Sequence, residues 1–459
     1  MNEILKVKNP YSQEIIGEYP IDQLSSVKTK VTSANEAQLQ WKKFSLEKRI
    51  ELVQKALAYF TDNKELIARD ISLQMGRPIS QAGGEVNGLM ERGNYLCSVA
   101  AESLKTLTLP EKPGFYRAIS REPLGLIFII SAWNYPLLVT VNSVVPALLA
   151  GNSVLLKHSS QTPAIGAHFE KALGELGGIK NLLQQIVVNH ETTGKIIEEL
   201  DIQHVVFTGS VSGGAQILKH TAKKFMQPQL ELGGKDAAYV AEDADIAAAA
   251  ATVVDGAMFN SGQSCCGIER AYVHKDVFEE FIKQCKIVLN DYKMGDPLDK
   301  NTNLGPLVTE KAVKFVEAQV QAAVAAGAKV LVGGKAVKLS NGFFFEPTLM
   351  VNVNQQMEVI QEENFAPVLP VVVVDSLEQA IKMVNDNQYG LTSAIFTKNM
   401  DQAKIFAEQV NTGTVFMNRC DYLDPALPWT GVKNSGCGSA LSHLGFLSVT
   451  RAKAIHFKK

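Results

Sequence analysis

The stretch "NSGQSCCGIER", residues 260–270, places Cys265 and Cys266 side by side after a glycine-containing polar turn. A thiolate is a nucleophile, and a thiol that attacks a carbonyl needs surroundings that favour the thiolate and a base for later proton handling. Three other stretches hold residue types suited to such chemistry. Asn134, in "SAWNYP", follows an apolar run, and its side-chain NH₂ can donate to an oxygen on which charge develops. Glu231, in "LELGGKD", is a lone acid in an apolar run, where burial raises a carboxyl towards the range of a general base. "FTGSVSGG", 207–214, reads as a strand ending in glycine at the start of a helix, a place where free N–H groups meet a phosphate. It is not the G-x-G-x-x-G fingerprint. Each stretch also has a purely structural explanation: a packed cysteine, an asparagine closing a turn before Pro136, a glutamate at a domain junction, a plain strand–turn–helix corner.

The adjacent thiols divide by geometry. A disulfide between neighbours is strained, and no C-x-x-C pairing with histidines accompanies the six cysteines (97, 265, 266, 285, 420 and 437), so no metal site is expected. If the local chain is extended, Cys266 points away from the pocket that Cys265 faces, which leaves it a packing role or an oxidation risk.

The elements needed to hold these groups follow from the pattern of short β-branched runs and alanine-rich helical segments. "LGLIFIISAWN" reads as a buried strand, "PLLVTVNSVVPALLAG" as a helix ended by glycine, and "NSVLLKHS" as a strand. A helix over 162–177, the strand "QQIVV", a helix over 191–200 and "HVVFTGS" follow. Repeated β-α-β units of this kind build a doubly wound parallel sheet with ligands at the carboxyl ends of its strands. "QLELGGKDAAYV" (229–240) reads as a linker and the first strand of a second such unit, "GFYRAISREP" (114–123) as an exposed hairpin whose open edge suits pairing with another subunit, and the first hundred residues as mainly helical. The expected fold is therefore α/β, with two doubly wound parallel-sheet units and an exposed hairpin.

At 459 residues the chain exceeds what one core can fill. A net charge of −2 gives no reason to expect nucleic acid or an anionic membrane as partner. The most apolar window, "LGLIFII", is too short to span a bilayer, and "MNEILKVKNPYSQEIIGEYP" lacks a signal peptide's apolar segment. With sparse cysteines that suit a reducing compartment, these features lead to the expectation of a cytoplasmic protein.

In order and spacing, "WNYP", "FTGS", "ELGGK", "GQSC", "EENFAP", "YGL" and "PWTGVKNSG" resemble the aldehyde dehydrogenase superfamily over essentially the whole chain, down to the Glu231–Cys265 interval. The resemblance implies an NAD(P)-dependent oxidation of an aldehyde to an acid, on an α/β fold of two doubly wound parallel-sheet domains plus a β-hairpin oligomerisation arm: a Rossmann-like cofactor domain over 1–108 with 122–232, a catalytic domain over 233–435, and the arm over 109–121 with 436–459. It assigns Cys265 as nucleophile, Asn134 as oxyanion donor and Glu231 as the base that activates hydrolytic water. It places Lys157 and Glu363 on ribose hydroxyls, Ser210 on the pyrophosphate and Phe365 beside the nicotinamide, with Trp133, Gly209 and Gly214 along the same groove. A homodimer or homotetramer is implied, with a small-molecule aldehyde as partner. Members that pass the acyl group to CoA usually lack the glutamate seen here as Glu231, which favours hydrolysis; a thioester hydrolase without redox activity and a non-catalytic descendant are the remaining alternatives.

Four departures from the family pattern stand out. After Lys157 the chain has His158, Ser159 and Ser160, with Ser160 where many NAD-preferring relatives carry a glutamate that repels a 2′-phosphate, so NADP is expected to be accepted. Asn142 and Phe259 stand where succinate-semialdehyde dehydrogenases of the best-known type carry carboxylate-clamping arginines. An aliphatic or aromatic aldehyde in an apolar funnel is therefore expected first, unless another cation substitutes; succinate semialdehyde is the runner-up, because "LLKH" and "VPALLAGNS" resemble short bacterial semialdehyde dehydrogenase-like members. Ala366 and Thr430 replace glycines at the site's periphery, and Ser439–Ala440 replace Arg-Glu in the tail, where an effect on subunit packing is expected.

Overall fold

The structure, a computed structural model, describes residues 3–459. Two open sheets dominate it. In the first, the strands run in the order Gly436–Cys437, Gln229–Glu231, His204–Thr208, Leu126–Ile130, Ser153–Lys157, Leu183–Gln185. All are parallel except Gly436–Cys437, which pairs antiparallel with Leu230 and Glu231. Residues 436–437 thus join this sheet rather than the arm.

Alternation along the central strand Leu126–Ile130 explains why helices cover both faces. Ile127 and Ile129 pack with Leu89, Val144 and Leu148 on one side. Leu126, Phe128 and Ile130 pack with Val27, Val31, Ile196 and Ile197 on the other. A strand buried on both faces has to be apolar throughout, as this one is. The helix Leu138–Leu149 ends where Gly151 turns left-handed at φ 95°, matching the glycine stop in the sequence.

The second sheet runs Lys329–Val332, Thr348–Val351, Val368–Val374, Ile268–His274, Asp236–Val240, Thr392–Phe396, Thr414–Met417 and is parallel apart from its first strand. Ala237 and Tyr239 face one helical layer with Ile381 and Phe406, and Ala238 and Val240 the other with Val253 and Phe281. The chain crosses between the sheets through residues 232–235, so "QLELGGKDAAYV" holds the last parallel strand of the first sheet as well as a strand of the second.

A third, antiparallel sheet joins Leu107–Thr108, Phe115–Pro123 and Thr450–Lys458, the last two paired over nine residues. Thr450–Lys458 is its edge, and Tyr116 and Phe457 are exposed on it. The helices Leu24–Trp41, Leu46–Asp62, Lys64–Met75 and Ile79–Leu104 make up most of the first hundred residues, preceded by the hairpin Ile4–Lys8/Ile15–Pro20. Among the described residues no helix is long and apolar enough to cross a membrane, and no group of histidine, cysteine and acidic side chains is placed to hold a metal ion.

Candidate active site

In a parallel sheet every strand delivers its carboxyl end to the same edge. Here that edge receives Trp133 and Asn134 just beyond Leu126–Ile130, Lys157 at the end of Ser153–Lys157, Gly209 and Ser210 beyond His204–Thr208, and Glu231 at the end of Gln229–Glu231. Cys265 arrives from the second sheet, in the turn ahead of Ile268–His274. Three connected cavities meet there. A groove of about 580 Å³ is lined by Trp133, Lys157, Ser160, Gly209 and Ser210. It continues into a chamber of about 200 Å³ lined by Trp133, Asn134, Gly209, Glu231, Cys265, Glu363 and Phe365. Beyond the thiol lies a funnel of about 120 Å³ whose wall includes Glu231, Cys265, Tyr135, Asn142, Phe259 and Trp429.

The cysteine loop is strained into place. Asn260, Ser261 and Gly262 follow one another with φ of 53°, 58° and 71°. A Cβ on Gly262 would lie 2.2 Å from the Ala366 carbonyl oxygen, so that position has to be glycine. The loop is held by the buried Arg77, whose Nε donates to Asn260 Oδ1 at 3.0 Å and whose Nη2 donates to the Asn134 carbonyl at 2.6 Å. Arg77 in turn is paired with the buried Glu85 at 2.6 Å, and Glu85 accepts the N–H of Leu137 at 2.7 Å. One guanidinium thus ties together the loop of the thiol and the turn of Asn134. The Asn134 side chain donates to the Gln263 carbonyl at 3.3 Å, a long bond that an incoming oxyanion can replace.

Cys265 and Cys266 sit in a turn, not in extended chain. Strand alternation therefore does not apply, and both thiols line the same funnel, contrary to the expectation for Cys266. Cys266 is buried and donates to Asp421 Oδ1 at 2.9 Å. The interaction with Cys265 and burial together push its thiol well up, so it stays protonated.

Glu231 is buried, and burial pushes its carboxyl up to about 7 despite the hydrogen bond that Oε1 accepts from Gln229 Nε2 at 3.0 Å. The glycines after it make room for protein neighbours. A Cβ on Gly234 would lie 2.2 Å from the Cys265 carbonyl oxygen, and one on Gly233 would lie 2.6 Å from the Glu363 carboxylate. Glu363 accepts the Gly234 N–H at 2.9 Å, and withdrawal from water, with Glu269 nearby, pushes it up to about 8. Phe365 meets Trp133 edge-on, ring centres 5.7 Å apart.

In the groove, the Lys157 ammonium is buried, its pKa lowered by that burial, and it has no hydrogen-bond partner among the described residues. Ser210 caps the helix Val211–Thr221, accepting the Gly213 N–H at 3.1 Å. An orphaned cation, the exposed Ser160 hydroxyl and a capped helix N-terminus fit a phosphate-bearing dinucleotide. Gly213 lines this groove, whereas Gly214 lies behind it, where a Cβ would come within 2.7 Å of Leu232. His158 points the other way, within 3.1 Å of the Pro136 carbonyl oxygen, and burial lowers it to about 4, so it is neutral.

Several residues of the site escape a reading of motifs. Arg92, from the helix Ile79–Leu104, enters the funnel with Tyr135 and Asp421, which is therefore not wholly apolar. His190, Thr193 and His220 line the groove beyond Ser160. Ala440, expected to bear on subunit packing, pairs with Trp429 in both directions, at 2.8 and 2.9 Å, and so braces the funnel wall. Thr430 Oγ1 donates to the Gly438 carbonyl at 2.7 Å beside it. The only sequence signal for this cluster is that its departures from pattern lie close together.

Comparison with known proteins places this geometry. The Aldehyde dehydrogenase family matches residues 1–455. A lactaldehyde dehydrogenase of Escherichia coli (strain K12) is 31% identical over 456 residues, covering 99% of this chain and 95% of that protein. A succinate-semialdehyde dehydrogenase [NADP(+)] of Deinococcus radiodurans is 31% identical over 447 residues, covering 97% and 93%. The crystal structure of PnpE in complex with nicotinamide adenine dinucleotide superposes with a TM-score of 0.95 at 30% identity, covering 99% of this chain and 94% of that one.

Proposed function

The chain belongs to the aldehyde dehydrogenase family and oxidises an aldehyde with NAD or NADP, and on that premise we propose that Cys265, Asn134 and Glu231 carry the reaction, which ends in a carboxylic acid. The observation that supports this assignment is the position of Cys265 and Glu231 between the groove and the funnel, each lining both the chamber and the funnel.

The Cys265 thiolate adds to the aldehyde carbonyl carbon, and the Asn134 NH₂ donates to the oxygen that takes up the charge. The bound nicotinamide supplies a hydride acceptor. Loss of hydride from the thiohemiacetal leaves a thioester on Cys265. Glu231, with a pKa near working pH, then takes a proton from the water that attacks the thioester carbonyl, and the acid departs as the thiol is restored. Lys157, Ser160, Ser210 and Glu363 would hold the dinucleotide, with Trp133, Gly209 and Phe365 shaping its passage into the chamber. The hydroxyl of Ser160 and the free ammonium of Lys157 favour acceptance of a 2′-phosphate, hence of NADP.

The division of the chain into a cofactor domain, a catalytic domain and an arm is part of the same proposal, with the limits shifted so that 107–108 and 122–123 belong to the arm's sheet and 436–437 to the first sheet. So are a homo-oligomer built on the edge strand Thr450–Lys458 and a cytoplasmic setting. The deciding experiment is an aldehyde panel assayed for reduced cofactor with NAD and NADP in parallel, on the native chain and on Cys265→Ser. Oxidation that survives Cys265→Ser refutes the assignment, and formation of acyl-CoA with added CoA would replace hydrolysis by acyl transfer.

A further inference from the structure

The positions at which semialdehyde dehydrogenases of the best-known type carry arginines hold Asn142 and Phe259, and both line the funnel beyond Cys265. A cation reaches the same wall from elsewhere. Arg92 comes from the helix Ile79–Leu104, a segment that contains none of the family's motifs, and its Nη1 donates to Asn142 Oδ1 at 3.2 Å. Only 8% of Arg92 is exposed, yet among the described residues that bond is the sole hydrogen bond of its side chain, which has no ion pair.

The acids around it are otherwise engaged. Glu85 is paired with Arg77 and accepts two backbone N–H groups. Glu91 accepts from the Tyr422 hydroxyl. Asp421 accepts from Cys266, and burial pushes Asp421 up to about 6. Glu231 lies higher still, at about 7. The Tyr135 ring closes the same wall, with its hydroxyl buried behind it. Buried polar groups are normally satisfied, and a buried guanidinium whose remaining N–H groups face a cavity is a site built for an acceptor that arrives from outside.

We propose that Arg92 is the anion-binding residue of the funnel, and that the aldehyde this enzyme oxidises carries a carboxylate at the end remote from its carbonyl. This rests on the assignment of Cys265 as the nucleophile, because that assignment makes the funnel the approach of the aldehyde. The carboxylate replaces the missing protein acceptor, and its ion pair with Arg92 orients the carbonyl towards Cys265. Arg92 thus takes over, from a different helix, the task for which Asn142 and Phe259 lack the charge.

The test is steady-state kinetics on a series of ω-carboxyl aldehydes, succinate semialdehyde included, against the methyl ester of each. For the best acid of the series, kcat/KM is expected to exceed that of its ester by about tenfold or more. In Arg92→Met this ratio collapses towards one through a rise in KM for the acid, and Arg92→Lys restores part of it. A native enzyme that turns over the esters as well as the acids overturns the proposal. So does an Arg92→Met variant that loses acid and ester in parallel, since a structural brace behaves that way. If Arg92→Met fails to fold, the native ratio and competitive inhibition by the succinate dianion decide the matter: preference with inhibition supports the proposal, and absence of either sinks it. Turnover of uncharged aldehydes without preference for acids removes only the role of Arg92. No turnover of any aldehyde removes the assignment of the funnel as well.

Discussion

Lys235 and Glu269 form an ion pair of 2.7 Å with both side chains almost wholly withdrawn from water. Lys235 closes the "ELGGK" turn, and Glu269 lies on the strand Ile268–His274 just after the cysteines. The second task of Glu269 is to accept the backbone N–H groups of Asn364 and Phe365, at 2.9 and 3.2 Å. One buried pair therefore fixes the turn behind Glu231, the strand behind Cys265 and the loop that carries Glu363 and Phe365.

Glu269→Ala strands the Lys235 ammonium in the interior and should destabilise the protein by about 3–5 kcal/mol. Denaturant unfolding measures this. Lys235→Met combined with Glu269→Leu should recover most of the lost stability, since apolar side chains replace both charges. The same double variant still leaves the Asn364 and Phe365 N–H groups without an acceptor, so the KM for cofactor should stay raised.

Cys265→Ser is expected to abolish oxidation. Cys266→Ser preserves a donor to Asp421 and should retain most of kcat, even though both thiols line the funnel. Equal losses in the two variants, measured as kcat/KM on one aldehyde, would contradict the division of roles.

Glu231 titrates at about 7, raised by burial from the usual carboxylate range. A base works deprotonated, so turnover limited by thioester hydrolysis should rise with pH through about 7 and fall away below it. Glu231→Gln removes that limb, and the steady rate should drop on the order of 10²–10⁴-fold. An initial burst of reduced cofactor should survive in the variant, because the first half-reaction does not use the base.

Asn134→Ala removes the side-chain donor and leaves the backbone carbonyl that Arg77 holds. Turnover should fall on the order of 10²–10³-fold while the cofactor dissociation constant stays unchanged. A variant with near-native kcat would exclude an oxyanion role.

Ser160→Glu sets a carboxylate on the wall of the groove near Lys157. The ratio of kcat/KM for NADP to that for NAD should fall by about tenfold or more, because like charges are brought together. A ratio that does not move would separate Ser160 from cofactor choice.

Much of this arrangement is legible in the sequence because the parallel strands are apolar throughout and each ends in a polar or glycine-bearing turn. Asn134, Lys157, Ser210 and Glu231 all lie just at such ends, and the motifs around them are local. What stays hidden depends on contacts between distant segments. Arg92 meets Asn142 from 50 residues away, and Arg77 meets Asn134 from 57. Nothing in "MERGNY" distinguishes a funnel-lining arginine from one on a solvated helix face. Cys266 departs from the expectation for a different reason: residues 265 and 266 themselves form a turn ahead of the strand, so the alternation of an extended chain does not apply to them. Gly214 shows the limit of a motif in which two glycines adjoin, since only Gly213 faces the groove.

The crossing at residues 232–235 has a mechanical side. The proposed base is the last residue of a strand in one sheet, and the proposed nucleophile precedes a strand in the other, with a four-residue tether and the Gly234–Cys265 approach between them. Their alignment therefore belongs to the seam between two bodies and to neither body alone. Mild denaturant that loosens the seam should uncouple the two half-reactions, letting acyl-enzyme accumulate while both sheets remain folded.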